Sequence, residues 1–203
     1  MNVGSLKIIV CFLSLFIISG CAKYSPRPLL VPSSCSQNVK ENKKSINVRA
    51  MALSDSDCKY YFSRRVISKG YQPVQLYIKN DSERTYALDY RDINMKLENN
   101  YAVAKKLHLN DLQRFVAWAI PSLLFWPLLI PGFIELVLVN DANNELDSDF
   151  SNRVFGSYDH FVIRPHTVGN FVMFVRLENY TPELHLKLVD QDSFEVLNYS
   201  FRL

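Results

Sequence analysis

A chain of 203 residues with 48% hydrophobic and 13% aromatic side chains can bury a real core, which excludes a disordered polymer. The net charge of +3, from 23 Lys and Arg against 20 Asp and Glu, is too small for a nucleic-acid binder or a polybasic membrane patch. Six glycines are scattered, so no phosphate-cradling loop forms, and no Gly-x-Ser-x-Gly elbow occurs.

Lys7 precedes an apolar run from Ile8 to Ile18 that only Ser14 interrupts. At about a dozen residues this run is too short to cross ~30 Å of hydrocarbon, and it reads as a secretory signal. Ile18-Ser19-Gly20-Cys21 follows. It resembles the bacterial lipobox: an aliphatic residue, a small residue, Gly or Ala, then Cys. The resemblance implies a signal peptide over 1–20, cleavage before Cys21, and acylation of that residue's sulfur and amine. A thiol is required because it takes the diacylglyceryl group. Each buried methylene adds ~0.8 kcal/mol of membrane affinity, so one chain anchors marginally and three anchor firmly. The family's sorting rule reads Asp after the Cys as retention at the inner membrane. Ala22 therefore implies the outer membrane of a bacterial envelope, with the lipid anchor making the membrane a partner. Loss of Lys7 with the signal leaves a net charge of +2.

The mature chain is long enough for one domain, or one domain with an insertion. Cys11 leaves with the signal and Cys21 is acylated, so Cys35 and Cys58 remain in an oxidising compartment. A Cys35–Cys58 disulfide is expected; two free buried thiols or pairing with another chain are the alternatives. Residues 21–45 read as a lipid-anchored tether, with Pro26, Pro28, Pro32, a Ser cluster and Lys40, Lys43 and Lys44.

From Ile46 to the C-terminus the pattern is that of a β domain over 46–203. Ile46, Val48 and Ala50 alternate with polar neighbours, and Tyr60-Tyr61-Phe62 and Arg64 to Ile67 read as further strand material. Val74, Leu76 and Ile78 form a half-buried strand closed by Asn80-Asp81-Ser82. Tyr86, Leu88 and Tyr90 give the next strand. Its phase slips at Arg91-Asp92, as at a bulge, and Ile93, Met95 and Leu97 carry it on. Later come Phe161 to Ile163, Phe171 to Leu177, Leu184 to Leu188, a hairpin loop at Asp190-Gln191-Asp192-Ser193, and Phe194 to Leu203. Seven or eight short strands predict a mostly β fold, an antiparallel sandwich.

The segment 111–150 breaks that pattern. Asn110 or Asp111 can cap a helix, and Phe115 to Val139 then carries a single charge, Glu135. Its length would allow a membrane span, but Pro121, Pro127 and Pro131 interrupt it, Glu135 would sit in hydrocarbon, and the flanking charges oppose the positive-inside rule. We expect a helical hairpin inserted in the domain. Its arms run over about 111–130 and 133–150, its turn is Pro131-Gly132, and its inner stripe is Ile134, Val137, Leu138, Ala142 and Leu146. The first arm is too apolar all round for a solvent-facing helix. Phe115, Trp118, Leu123, Leu124, Phe125, Trp126, Leu128, Leu129 and Ile130 are thus the candidate contacts to a membrane or an envelope partner. Packing wholly inside the domain and a true span are the alternatives.

No catalytic set is legible. His108, His160, His166 and His185 lack metal spacing, and Glu145, Asp147 and Asp149 lack the Gly and closing Glu of a calcium loop. No metal, cofactor or nucleic acid is expected, and an enzyme is not expected. The acceptor patterns at Asn80, Asn179 and Asn198 read as turn or strand residues in a bacterial protein.

Val74-Gln75-Leu76-Tyr77-Ile78-Lys79-Asn80-Asp81-Ser82 resembles the strand ending in Asn-x-Ser of exported bacterial Ig-like (telokin-like) domains. Ile163-Arg164-Pro165, then Gly169 and Phe171 to Val175, resembles their Ile-x-Pro-Gly strand start, with His166 where Gly is usual. The whole chain is similar to uncharacterised bacterial lipoproteins that insert an Ala-Trp…Trp-Pro…Ile-Pro stretch, here Ala117-Trp118, Trp126-Pro127 and Ile130-Pro131. These resemblances imply a lipid-anchored Ig-like β-sandwich that binds or scaffolds. The alternative is a carrier or permeability component whose 115–139 segment binds or enters lipid.

Overall fold

Alternating apolar residues set the sheets, and capping side chains set the helices between them. The computed structural model describes residues 23–32, 36–37, 45–124 and 126–203. Cys21, Cys35 and Phe125 lie outside the described residues, as does the expected signal peptide. The described strands are β1 (Ser36–Gln37), β2 (Ile46–Ala52), β3 (Tyr71–Asn80), β4 (Tyr86–Asp89), β5 (His160–Ile163), β6 (Val168–Arg176), β7 (Glu183–Asp190) and β8 (Val196–Arg202). The described helices are α1 (Asp55–Phe62), α2 (Asn100–Leu107), α3 (Asp111–Ser122) and α4 (Leu129–Arg153). The chain is mixed α/β, which corrects the mostly β expectation.

All strand pairs are antiparallel. One sheet has the order β1-β8-β7-β4-β5 and the other β2-β3-β6. β3 is the centre of the smaller sheet, with Ile46 opposite Asn80 on one side and Tyr71 opposite Arg176 on the other. Period-two alternation sends Val74, Leu76 and Ile78 into a buried cluster with Met173 and Val175 of β6. The same cluster takes Leu88, Leu186, Leu188 and Phe201 from the larger sheet. The expected strand over Ile93 to Leu97 is reduced to single bridges, Ile93 to Leu186 and Leu97 to Val175.

β6 is apolar at consecutive positions because both of its faces are covered. Val172 and Phe174 point away from the first cluster and are fully buried. Phe174 stacks on Phe150 of α4, with ring centroids 5.2 Å apart and planes 5° from parallel. Phe62 of α1 meets both rings, at 5.6 Å and 5.9 Å.

α1 replaces the strand expected at Tyr60-Tyr61-Phe62. Ser54 and Asp57 form a capping box: Ser54 Oγ accepts from the Asp57 N–H at 3.2 Å, and Asp57 Oδ2 accepts from the Ser54 N–H at 2.9 Å. The helix ends at Ser63 in the left-handed region, φ 50°. α2 was not foreseen either. Asn99 Oδ1 accepts from the Tyr101 and Ala102 N–H groups and starts it.

Two positions singled out in the sequence have a backbone reason. His166 adopts φ 55°, the left-handed region that glycine enters without strain. Gly169 lies under the Phe161 ring: a Cβ there would stand 2.6 Å from a ring carbon.

Within the segment expected as a tether, residues 25–32 are strapped onto the fold. Gln75 Nε2 donates to the Leu30 carbonyl at 2.7 Å, Asn170 Nδ2 to Leu29 at 2.9 Å, and Arg49 Nη1 to Pro32 at 3.1 Å. The Arg27 N–H donates to the Tyr61 carbonyl at 3.1 Å, and Ser63 Oγ to Ser25 at 3.1 Å.

The β7–β8 loop forms as expected. Asp190, 1% exposed, accepts from the Asp192 and Ser193 N–H groups at 2.9 and 3.2 Å and from Arg84 Nη1 at 2.8 Å. Burial alone would raise its pKa, but the guanidinium and the two N–H groups hold it well below the usual carboxylate range. Asp89 is lowered to about 2 by the Arg91 side chain and then by the Arg91 N–H. A carboxylate with a depressed folded pKa contributes stability above its unfolded pKa and loses it as pH falls toward the folded value. The urea midpoint is therefore expected to hold at neutral pH and to fall once the pH drops below about 4. Asp190→Asn should flatten that acid limb, and an unchanged limb in this variant would refute the assignment.

The described residues divide into two compact units, 25–107 with 147–203, and Tyr24 with 108–146. The sheets belong to the first. The second holds α3 and the first part of α4.

Candidate functional site

The second unit begins with a capped helix. Asn110 Oδ1 accepts from the Gln113 N–H at 2.9 Å, as the sequence suggested. Asn143 of α4 secures the approach, accepting from the Leu109 N–H at 2.9 Å and donating to its carbonyl at 3.2 Å. α3 ends at Ser122, just past Pro121. The Leu123 and Leu124 N–H groups donate to Ile120 and Pro121 carbonyls, and a short 3-10 turn, Trp126–Leu128, leads into α4.

The hairpin drawn from the sequence is corrected here. Pro131-Gly132 is not a turn, since α4 runs unbroken from Leu129 to Arg153. Pro131 is the third residue of that helix, where an N–H has no intrahelical acceptor, so proline costs nothing there. Gly132 admits a close approach: a Cβ on it would lie 3.0 Å from the Trp118 Cβ. Phe115 and Phe133 rings pack at 5.6 Å, and Arg114 pairs with Glu135. The inner stripe is also corrected. Val139, Ala142, Leu146 and Phe150 are buried, whereas Ile134 and Val137 are exposed.

Of the residues singled out in the sequence, Leu123 is 86%, Leu124 94%, Trp126 72% and Ile130 55% exposed. Leu128 is buried, and Phe115, Trp118 and Leu129 are half-buried. Periodicity adds Leu112, Val116, Ile120 and Phe133, which the sequence reading did not name, and Ile134 and Val137, which it placed inside. Leu112, Val116 and Ile120 form an exposed i, i+4 row on α3, and Ile130, Phe133, Ile134 and Val137 form one on α4. An amphipathic helix normally buries such a stripe; here both rows are uncovered, and contiguous exposed apolar surface marks a contact site. Among the described residues no helix is long and apolar enough to cross a membrane.

The remaining candidates are weaker. Cys58 carries a free thiol, fully buried in α1, and its expected partner Cys35 is outside the described residues. Burial, then the Asp55 and Asp57 carboxylates, pushes that thiol up to about 12. Iodoacetamide at about pH 8 is expected to spare Cys58 in the folded protein and to alkylate it in denaturant without reductant. Alkylation that appears only after reduction would restore the Cys35–Cys58 bridge. His185 Nδ1 lies 2.8 Å from Ser200 Oγ and its Nε2 3.9 Å from Glu183. His185 and Ser200 are cross-strand neighbours in the β7–β8 register, and Glu183 precedes His185 on the same strand. His160 lies 3.8 Å from Asp89, and His166 3.0 Å from Glu83. Among the described residues no group of His, Cys, Asp and Glu side chains could hold a metal.

No protein-family model, no curated protein and no solved structure matches the chain.

Proposed function

We propose that this chain is a lipid-anchored protein of the bacterial cell envelope, carried to the outer membrane by acylation at Cys21 and working by binding or scaffolding. The lipobox resemblance supports the anchor. Two antiparallel sheets sharing one buried cluster support reading the strand domain as an Ig-like sandwich, with its motif at 74–82 and 163–175. A second reading, favoured by a specific observation, gives the binding surface its occupant: α3 and the start of α4 bind lipid. The carrying observation is the row of exposed apolar side chains from Leu112 to Val137.

Two measurements test these readings separately. Mass spectrometry of the mature protein is expected to show a triacylated Cys21; an intact Met1 or a free thiol at Cys21 overturns the anchor. The Cys21→Ser protein, mixed with liposomes and floated on a gradient, is expected to rise with the vesicles. If it stays at the bottom while the native protein is acylated, the apolar surface serves a protein partner instead.

A further inference from the structure

We propose that α3 and the start of α4 enter one leaflet of a bilayer, tip first, to a depth set by the Arg114–Glu135 pair. The proposal rests on the lipid reading above and adds the mode of insertion.

The argument starts from where charge is absent. No charged residue lies between Arg114 and Glu135. Those two are paired with each other, Arg114 from α3 and Glu135 from α4, so the apolar region ends at a neutralised ion pair on both arms at one level. From Arg114 to Ser122 the helix rises roughly 12 Å. Half of a ~30 Å hydrocarbon core is roughly 15 Å. The charge-free length therefore fits one leaflet and stops short of the opposite one. A charge carried into hydrocarbon costs several kcal/mol, so the pair halts entry at the interface.

The tip is built for this solvent. Leu124 and Leu123 are the most exposed large apolar side chains described, and Trp126 stands beside them. A turn in hydrocarbon is penalised for each backbone N–H without an acceptor. Here the Leu123 and Leu124 N–H groups are bonded to Ile120 and Pro121, and Pro127 and Pro131 have no N–H to satisfy. Two of the three prolines that looked like helix breakers in the sequence, Pro127 and Pro131, thus reduce the donors left unpaired at the turn.

A bilayer is also within reach. Tyr24 belongs to the same compact unit as 108–146, and Cys21 is three residues before it. Three residues span at most about 11 Å, so acyl chains on Cys21 would attach within that distance of Tyr24. This proximity selects lipid over a protein partner as the occupant.

The two tryptophans report depth directly. Full-length acylated protein is reconstituted in vesicles of phosphatidylethanolamine and phosphatidylglycerol containing phosphatidylcholine brominated either near the carbonyl or far down the chain. Trp118→Phe leaves Trp126 as sole emitter, and Trp126→Phe leaves Trp118. Trp126 is expected to lose most of its emission to the deep bromines, and Trp118 mainly to the shallow ones. Leu124→Arg, at a fully exposed position, keeps both tryptophans and is expected to abolish deep quenching while the circular dichroism is unchanged. Equal quenching of both tryptophans by shallow bromines would mean that the helices lie flat, and no quenching would mean that they dock elsewhere; either overturns the proposal, as does deep quenching that survives Leu124→Arg. Repeating the measurement on Cys21→Ser separates the readings: deep quenching without an acyl group leaves leaflet insertion standing even if the anchor fails.

Discussion

Phe174→Ala is expected to lower the unfolding free energy by about 3–5 kcal/mol, the usual cost of removing a buried phenylalanine ring. Phe174 is fully buried and touches two other fully buried rings, Phe150 on α4 and Phe62 on α1. Removing it leaves a cavity bounded by two rigid rings that cannot both move in to fill it. The three rings come from elements far apart in the sequence, so their contact ties the N-terminal helix and the end of α4 to the smaller sheet. Phe150→Ala should cost a similar amount. The double variant should cost less than the two single losses together, because each single change already breaks the shared stack. Urea unfolding followed by far-UV circular dichroism checks this. A loss under about 1 kcal/mol for either variant would show that the cluster does not pack as described.

Asn80→Ala is the second large effect, about 2–4 kcal/mol. Asn80 is fully buried at the end of β3. Its Nδ2 donates to the Arg84 carbonyl at 2.7 Å, to Arg164 at 3.0 Å and to Ile163 at 3.3 Å. Its Oδ1 accepts from the Ser82 N–H at 3.0 Å and the Ser82 hydroxyl at 2.6 Å. One amide thus organises the 80–84 turn and fastens it to the end of β5, in the other sheet. Alanine would take the amide donor from the Arg84 and buried Ile163 carbonyls, while the Arg164 carbonyl keeps Thr167. Asn80→Asp should be nearly as harmful, since a carboxylate can accept from Ser82 but cannot donate to the three carbonyls. Equal stability of Asn80→Asp and the native protein would refute this account.

The strands were legible where one face is buried and the other is not. Leu184, Leu186 and Leu188 alternate with exposed Glu183, His185 and Lys187, whereas the alternation of Val74, Leu76 and Ile78 reads through although Gln75 between them is buried too. Asn80 was read as turn chemistry; its role between two sheets was not visible, because its acceptors lie more than eighty residues away. The Tyr60-Tyr61-Phe62 run looked like a strand by side-chain type. The capping box at Ser54 and Asp57 outweighed that preference and was present in the sequence as Ser-x-x-Asp. Proline followed by glycine signals a turn in most contexts, but at the first turn of α4 neither residue opposes a helix. The apolar excess of 115–139 was plain. Which of its residues are covered was not, and Leu128 proved buried while Leu112 and Val137, outside the expected contacts, are bare.

The corner at Gly169 carries a consequence for ancestry. Because the Phe161 ring occupies the space a Cβ would need, a side chain at 169 requires that ring to shift or shrink, which couples the two positions. In descendants of a common gene, a small residue at 161 should accompany any side chain larger than hydrogen at 169. Such paired drift, found in sequences otherwise too divergent to align, would mark kinship that overall identity no longer records.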